Sequence, residues 1–258
     1  IIGYTALMEK HWGEKEVTAG YLQKLKEAGN FLMDLIGNIL EVARIESGKE
    51  TLTETAWNLC NLEDTLDLLL DRDIYKKQLT LKKNMELQHP KVYCDVLKIQ
   101  EITMNLLSNA VKYTPEGGTI HFTIRELPYE REGYALFQTV VEDTGIGISK
   151  EYIPHLFEAF TREKSSSESG IIGTGLGLRI VKKFVDLMEG SIVVESEIGK
   201  GTRFTVTIPH RIATANEYIP EENAKELSEE ITLNNVRILL AEDNMLNAEI
   251  AMTLLARN

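Results

Sequence analysis

The chain has 258 residues, long enough for more than one domain, and its 43% apolar and 26% charged content is ordinary for a soluble globular protein. A formal net charge of −12 argues against nucleic acid or an anionic membrane surface as a partner. No apolar run approaches the ~20 residues of a membrane span, and Cys60 and Cys94 fit no metal-ligand spacing and are expected to stay reduced in a cytoplasmic setting.

In chain order, residues 1–11 have the character of a helix tail, residues 12–19 of a turn, and Gly20 to Ser47 of one long helix. Along that helix Leu22, Leu25, Gly29, Leu32, Ile36, Ile39 and Ala43 alternate steps of three and four, a seam suited to a helical hairpin or bundle. The same periodicity also fits a single amphipathic helix lying on a globular core. Gly48 is the expected C-cap. Thr51 to Trp57 alternates as a strand does, and Asn61 is the expected N-cap of a helix over Leu62 to Lys77. Short strands follow at Leu79 to Met85 and Val92 to Cys94. Asp95 is placed to cap a long helix that Pro115 stops at Thr114. Thr119 to Leu127 and Tyr134 to Val141 form the arms of a hairpin joined by Pro128 to Gly133.

The chemistry is concentrated in three pieces: Asn105 to Gly118 (NLLSNAVKYTPEGG), Val141 to Ile148 (VEDTGIGI) and Gly173 to Leu178 (GTGLGL). Asn105 and Asn109 lie four apart on the long helix, with Lys112 and Tyr113 a turn further on. Amide oxygens can ligate a hard cation such as Mg²⁺ and a lysine can neutralise phosphate. The opposite stripe, Ile102, Leu106, Leu107 and Ala110, is apolar and should face a sheet. Asp143 ends a strand just before Gly145 and Gly147, where a carboxylate can accept from an exocyclic amine and glycine lets backbone approach a flat ring. Gly173, Gly175 and Gly177 open a helix, Leu176 to Glu189, whose first N–H groups attract anions. Taken singly each piece is weak; their order and spacing carry the signal.

Between them, Ile153, Leu156, Phe157 and Phe160 fit a short amphipathic helix, and Thr161 to Gly170 (TREKSSSESG) reads as a mobile loop that could serve as a lid, with Arg162 or Lys164 in reach of terminal phosphates. Ser191 to Glu195 and Arg203 to Ile208 close the sheet as antiparallel strands, giving an α/β sandwich with helices on one face. Ile212 to Glu230 is glutamate-rich and linker-like. Val236 to Ala241 then reads as a buried parallel strand that delivers Glu242 and Asp243 to its C-terminal end, before a helix over Asn247 to Ala256.

This order resembles the catalytic domain of sensor histidine kinases, within the superfamily shared with gyrase, the ninety-kilodalton heat-shock chaperone and mismatch-repair ATPases. NLLSNAVKYT resembles the N box, EDTGIGI the first glycine box, LFEAF the F box, GTGLGL the second glycine box and GKGTRF (Gly199–Phe204) the last. The likeness covers roughly residues 51–210. It implies ATP and Mg²⁺ as ligands, with Asn105 and Asn109 on the metal and Lys112 and Tyr113 on phosphate or sugar. It also implies Asp143 on the adenine amine, Gly145 and Gly147 lining the base, Gly173, Gly175, Leu176 and Gly177 bounding the phosphates, and Thr202 joining the adenine water network. The implied architecture is α+β. A dimerisation and phosphoacceptor hairpin (1–50), which pairs into a homodimeric four-helix bundle, precedes the ATP-binding domain (51–210). An acidic linker (211–234) and the start of a receiver domain (235–258) follow.

Two departures sharpen the reading. None of His11, His89, His121, His155 and His210 is followed by the family's His-Asp/Glu-x-x-x-Pro pattern, so the acceptor box is expected upstream of Ile1, and His11 is not expected to be catalytic. The chain lacks an initiator Met and a signal peptide and is expected to be a piece of a longer, membrane-anchored sensor whose cytoplasmic core this is. The superfamily's hydrolases place Glu where Asn105 stands, and Asn cannot act as a general base, which favours phosphotransfer to histidine over hydrolysis. A nucleotide-sensing dimerisation module without phosphotransfer is the other reading. The expected partners are ATP or ADP, a second copy through the hairpin, and a receiver domain or response regulator.

Overall fold

The structure is a computed structural model that describes residues 1–161, 174–214, 217–218 and the single positions 245, 249 and 252. The chain divides into a unit over Ile1–Tyr218 and a second over Ile219–Asn258. In the second, the described positions Met245, Glu249 and Met252 are helical. The linker residues after Tyr218, the strand at Val236 and the acidic pair Glu242 and Asp243 lie outside the described residues.

Helix α1 (Ile2–Lys10) and helix α2 (Lys15–Glu46) are joined by a turn at residues 11–14 and meet at Tyr4 and Tyr21, whose rings are 6.1 Å apart. The turn is shorter than expected from the sequence. Gly13 breaks the helix, and the run from Lys15 to Ala19 contains nothing that prevents helix from resuming. Thr18 Oγ1 donates to the His11 carbonyl at 2.8 Å and ties the two helices at the turn. At the other end Gly48, at φ +65°, closes α2. Its N–H donates to the Ile45 carbonyl at 3.0 Å and the Lys49 N–H to that of Arg44 at 3.2 Å, the doubly bonded C-terminal motif that needs glycine.

The rest of this unit is a seven-stranded sheet with helices packed on one face. The strands are β1 (Thr55–Asn58), β2 (Thr80–Glu86), β3 (Lys91–Cys94), β4 (Thr119–Leu127), β5 (Tyr134–Asp143), β6 (Ser191–Glu197) and β7 (Gly201–Ile212). Their order is β1-β3-β7-β5-β4-β2, with β6 also on β7, and only β2 and β4 run parallel. Among the described residues the helices are α3 (Asn61–Lys76), α4 (Val96–Tyr113) and α5 (Gly177–Leu187). Alternate residues of the central strands, Ile120, Phe122 and Ile124 on β4 with Phe204, Val206 and Ile208 on β7, are buried beneath them. The stripe Ile102, Leu106, Leu107 and Ala110 of α4 is at most 2% exposed, as its spacing predicts. Phe184 of α5 and Leu62 and Leu66 of α3 complete the core.

Several local expectations are corrected. Asn61 is the first residue of α3, not its cap; Cys60 holds the cap position without a side-chain bond, and Asn58 Oδ1 turns the chain just ahead of it by accepting from the Cys60 N–H at 3.1 Å. Strand β1 begins at Thr55 because Thr53 gives its N–H to Asp95 Oδ2 at 2.9 Å and so leaves the ladder. The Ile153–Phe160 segment is one 3₁₀ turn, Ile153–His155, rather than an amphipathic helix. Phe160 sits at φ +61°, gives its N–H to the Gly175 carbonyl at 3.1 Å and is 63% exposed.

Both ends of α4 are fixed by side chains. Asp95 Oδ1 accepts from the Lys98 N–H at 3.2 Å. Burial pushes the Asp95 carboxyl up, but the N–H bonds from Thr53 and Lys98 and the Lys98 ammonium outweigh it and hold it below the usual carboxylate range. At the C-terminus, Lys77 Nζ donates to the carbonyls of Val111 and Lys112 at 2.8 Å and of Thr114 at 3.0 Å, satisfying acceptors that helical bonding leaves open.

Candidate functional site

Helix α4 is the floor of a cavity of about 210 Å³. From Asn105 to Tyr113 is eight residues, about 12 Å of helix rise, and the two ends of that span meet different partners. At the Tyr113 end the loop after β5 docks on the helix terminus: the Ile146 N–H donates to the Tyr113 carbonyl at 3.2 Å. At the Asn105 end lies the start of α5, packed so closely that a side chain at Gly177 would collide with Asn105 Oδ1.

Asp143 closes β5 at the Tyr113 end. It is 6% exposed, and its Oδ1 accepts the Gly145 N–H at 2.8 Å. Burial raises its carboxyl to about 6, opposed by N–H bonds from Gly145 and Thr202 and assisted by neighbouring Glu142. The remaining lone pairs of this buried carboxylate are available to a donor in the cavity. Beside it, the Thr202 hydroxyl is 2.9 Å from Ser196 Oγ, which also accepts the Ile148 N–H at 2.8 Å and so ties β6, β7 and the loop after β5 into one wall. Gly147 stands at φ +71° against the Glu197 carbonyl, where a side chain would collide, so this wall can be built only of bare backbone.

At the other end Asn105 Nδ2 donates to the Glu101 carbonyl at 3.0 Å, one turn back along α4. That bond leaves the amide oxygen, the type of ligand Mg²⁺ takes, on the side of Gly177 and the start of α5. Asn109, Lys112 and Tyr113 line the same cavity, and Lys112 Nζ lies 5.4 Å from the Tyr113 ring centroid. Gly175, Gly177 and Thr202 also line it. Two expected residues stand one layer back: Gly145 supports Asp143, and Leu176, 1% exposed, is part of the core. Arg162 and Gly173 lie outside the described residues, as does Lys164. Among the described residues no three His, Cys, Asp or Glu side chains converge on a possible metal position. The donors at the Asn105 end are amides, whose oxygens fit a hard cation such as Mg²⁺.

The sequence reading missed Asn38 and Thr174, which border the cavity at the Asn105 end. Asn38 Nδ2 donates to Thr174 Oγ1 at 3.4 Å across 136 positions of sequence. Its one sequence signal is a lone amide among Ile36, Gly37, Ile39 and Leu40.

Residues 94–212 match the family described as histidine kinase-, DNA gyrase B- and HSP90-like ATPases. The chain is 30% identical over 249 residues to the autoinducer 2 sensor kinase/phosphatase LuxQ of Vibrio vulnificus, covering 96% of this chain and 29% of LuxQ. It is 35% identical over 191 residues to the hybrid signal transduction histidine kinase B of Dictyostelium discoideum, 73% of this chain and 10% of that protein. Among solved structures, full-length ShkA in complex with AMPPNP superposes with a TM-score of 0.64 at 26% identity, over 77% of this chain and 40% of ShkA. The chain thus spans less than a third of the length of either curated relative. Among the described residues no helix is long and apolar enough to cross a membrane. Residues 94–212 are an ATPase catalytic domain of the histidine kinase, gyrase B and HSP90-like family, of the kind that sensor histidine kinases of two-component systems carry.

Proposed function

We propose that the chain is the kinase core of a hybrid sensor histidine kinase that binds ATP with Mg²⁺ and passes the γ-phosphate to a histidine, and onward to an aspartate of a receiver domain or response regulator. The observation that carries this reading is the placement of charge along the cavity. Asp143 is the single carboxylate among its described lining residues and stands at the Tyr113 end, while the Asn105 end presents amides.

In this reading Asp143 accepts from the adenine amine and Thr202 supports the ring through its hydroxyl network. Guanine is rejected because it presents a carbonyl oxygen to the same carboxylate. Lys112 and Tyr113 contact phosphate or sugar, and the first N–H groups of α5 meet the phosphates. Asn105 and Asn109 hold the Mg²⁺, whose charge neutralises the phosphate oxygens. The domain works by positioning and electrostatics. Asn105 offers an amide at the phosphate end, and an amide cannot act as a general base toward water, which favours transfer to histidine over hydrolysis.

The acceptor hairpin is assigned to α1 and α2. Leu32, Ile36 and Ile39 of α2 are 43% to 46% exposed, a stripe suited to a second copy in a four-helix bundle. Titration calorimetry with ADP and Mg²⁺, paired with a phosphate-release assay, tests the reading. Binding of ADP and ATP, weak or absent GTP binding and little phosphate release are expected. Rapid release of phosphate would move the assignment to the hydrolases.

A further inference from the structure

The nucleotide cavity is not the only hollow at this end of the molecule. A wider cleft runs along α2, bordered by Glu50, Asn105 of α4 and Thr174 ahead of α5, and it shares three lining residues with the cavity: Asn38, Asn105 and Thr174. The two hollows adjoin at these three residues, which stand across any passage between them. Asp143 and Thr202 border only the first hollow, so the passage is at the end away from the base.

Size makes the passage matter. Ligand pockets commonly run ~300–1,000 Å³, and the cavity holds about 210 Å³. A nucleotide seated with its base on Asp143 would extend its terminal phosphate past Asn105, toward Asn38 and Thr174. The bond that closes this passage is a weak one. Asn38 Nδ2 to Thr174 Oγ1 is 3.4 Å, at the long limit for a hydrogen bond, and Thr174 Oγ1 also accepts the Leu176 N–H at 3.3 Å. An anionic phosphate oxygen is a better acceptor than a hydroxyl that is already engaged.

We propose that Asn38 is a terminal-phosphate contact supplied by α2: its amide donates to Thr174 in the empty chain and to the γ-phosphate when ATP is bound. The consequence is a physical link between nucleotide state and α2. Asn38 is one residue from Ile39 in the exposed apolar stripe, on the same unbroken 32-residue helix. ATP would engage that helix and ADP, one phosphate shorter, would not.

The inference rests on the ATP-binding reading above, and the test separates the two. Affinities for AMPPNP and ADP, each with Mg²⁺, are measured by calorimetry on the 258-residue chain and its variants. Asn38→Ala removes the donor and is expected to weaken AMPPNP about tenfold while leaving ADP within about twofold. Asn38→Asp keeps the side-chain shape, places a carboxylate beside the phosphate and is expected to weaken AMPPNP further, again sparing ADP. Melting curves accompany both, and Asn38→Ser serves if either fails to fold. A residue that merely shaped the cavity would weaken both nucleotides alike, and that result, or unchanged AMPPNP affinity in all variants, overturns the proposal. If the unaltered chain binds neither nucleotide, the ATP-binding reading fails and takes this one with it.

Discussion

Phe122 and Phe184 are wholly buried between the sheet and its helices, whereas Leu22, Leu32, Ile36 and Ile39 of α2 keep 43% to 54% of their surface in water. Both regions are comparably apolar in sequence, so apolarity alone does not separate them. What differs is where the partners are. The sheet and α3–α5 come from one stretch of chain and bury one another. On α2, the face bearing Leu35, Val42 and Ile45 packs on that core, and the other face carries the seam, which none of the described residues buries. A closed core holds a site in place; an open seam is a surface for something else.

The largest expected effect probes this contrast directly. Phe122→Ala removes a fully buried ring and should cost about 3–5 kcal/mol of stability. Leu32→Ala should cost less than about 1 kcal/mol in dilute solution, because its side chain is already 44% exposed. Urea melts of both variants measure the difference, and equal costs would mean that the seam is buried within a single chain. Leu32→Glu extends the test: in sedimentation over a range of concentrations it should favour monomer, because the bundle offers no partner for its charge. A chain that is monomeric throughout, or a variant that associates as well as the parent, would remove the dimerisation seam.

Acid should weaken the core through His210. That ring is 4% exposed on β7, 5.7 Å from the Phe137 ring, with Nδ1 unbonded. Burial, opposed by a bond to the Tyr93 backbone, lowers its pKa to about 4. The unfolded chain therefore binds the extra proton between about 6.5 and 4, and stability is lost as pH falls through that window. The loss should be on the order of 3 kcal/mol. Asp143 acts with the opposite sign, because its raised pKa makes the folded chain the better proton binder between 3.8 and about 6. Melts of His210→Leu against the parent isolate the histidine: the difference between the two should shift by that amount across the window. A constant difference would show that His210 is paired in solution.

What was legible in the sequence was local. The apolar stripe of α4, its Asp95 cap, the Gly48 stop and the β4–β5 hairpin each rest on residues a few positions apart. The glycine boxes could be placed by their order along the chain, and Gly147 and Gly177 stand where a side chain would meet Glu197 and Asn105. Lys77 on the last turn of α4 and Asn38 beside Thr174 were not legible. They act across 34 to 136 positions through single bonds and leave no periodic trace. Phe160 was misplaced because an aromatic at helical spacing looks the same whether it packs inward or stands exposed in a positive-φ turn. Arg162, Gly173 and the receiver-like tail lie outside the described residues and add nothing to either side of this comparison.

The central claim is that the closed region binds adenine through Asp143, independently of the seam. Titrating ADP and Mg²⁺ into the parent chain, Asp143→Asn and Leu32→Glu tests it most directly. Losing a charge-assisted bond should weaken binding by about 1.5–3 kcal/mol, on the order of ten- to a hundredfold, in Asp143→Asn. That variant should fold at least as stably, since it no longer buries a charge. In the parent, affinity should fall as pH drops through about 6, where the carboxylate gains its proton, and in Asp143→Asn this dependence should vanish. Leu32→Glu should bind as the parent does. Unchanged ADP affinity in Asp143→Asn, or a Leu32→Glu chain that no longer binds nucleotide, would contradict the account.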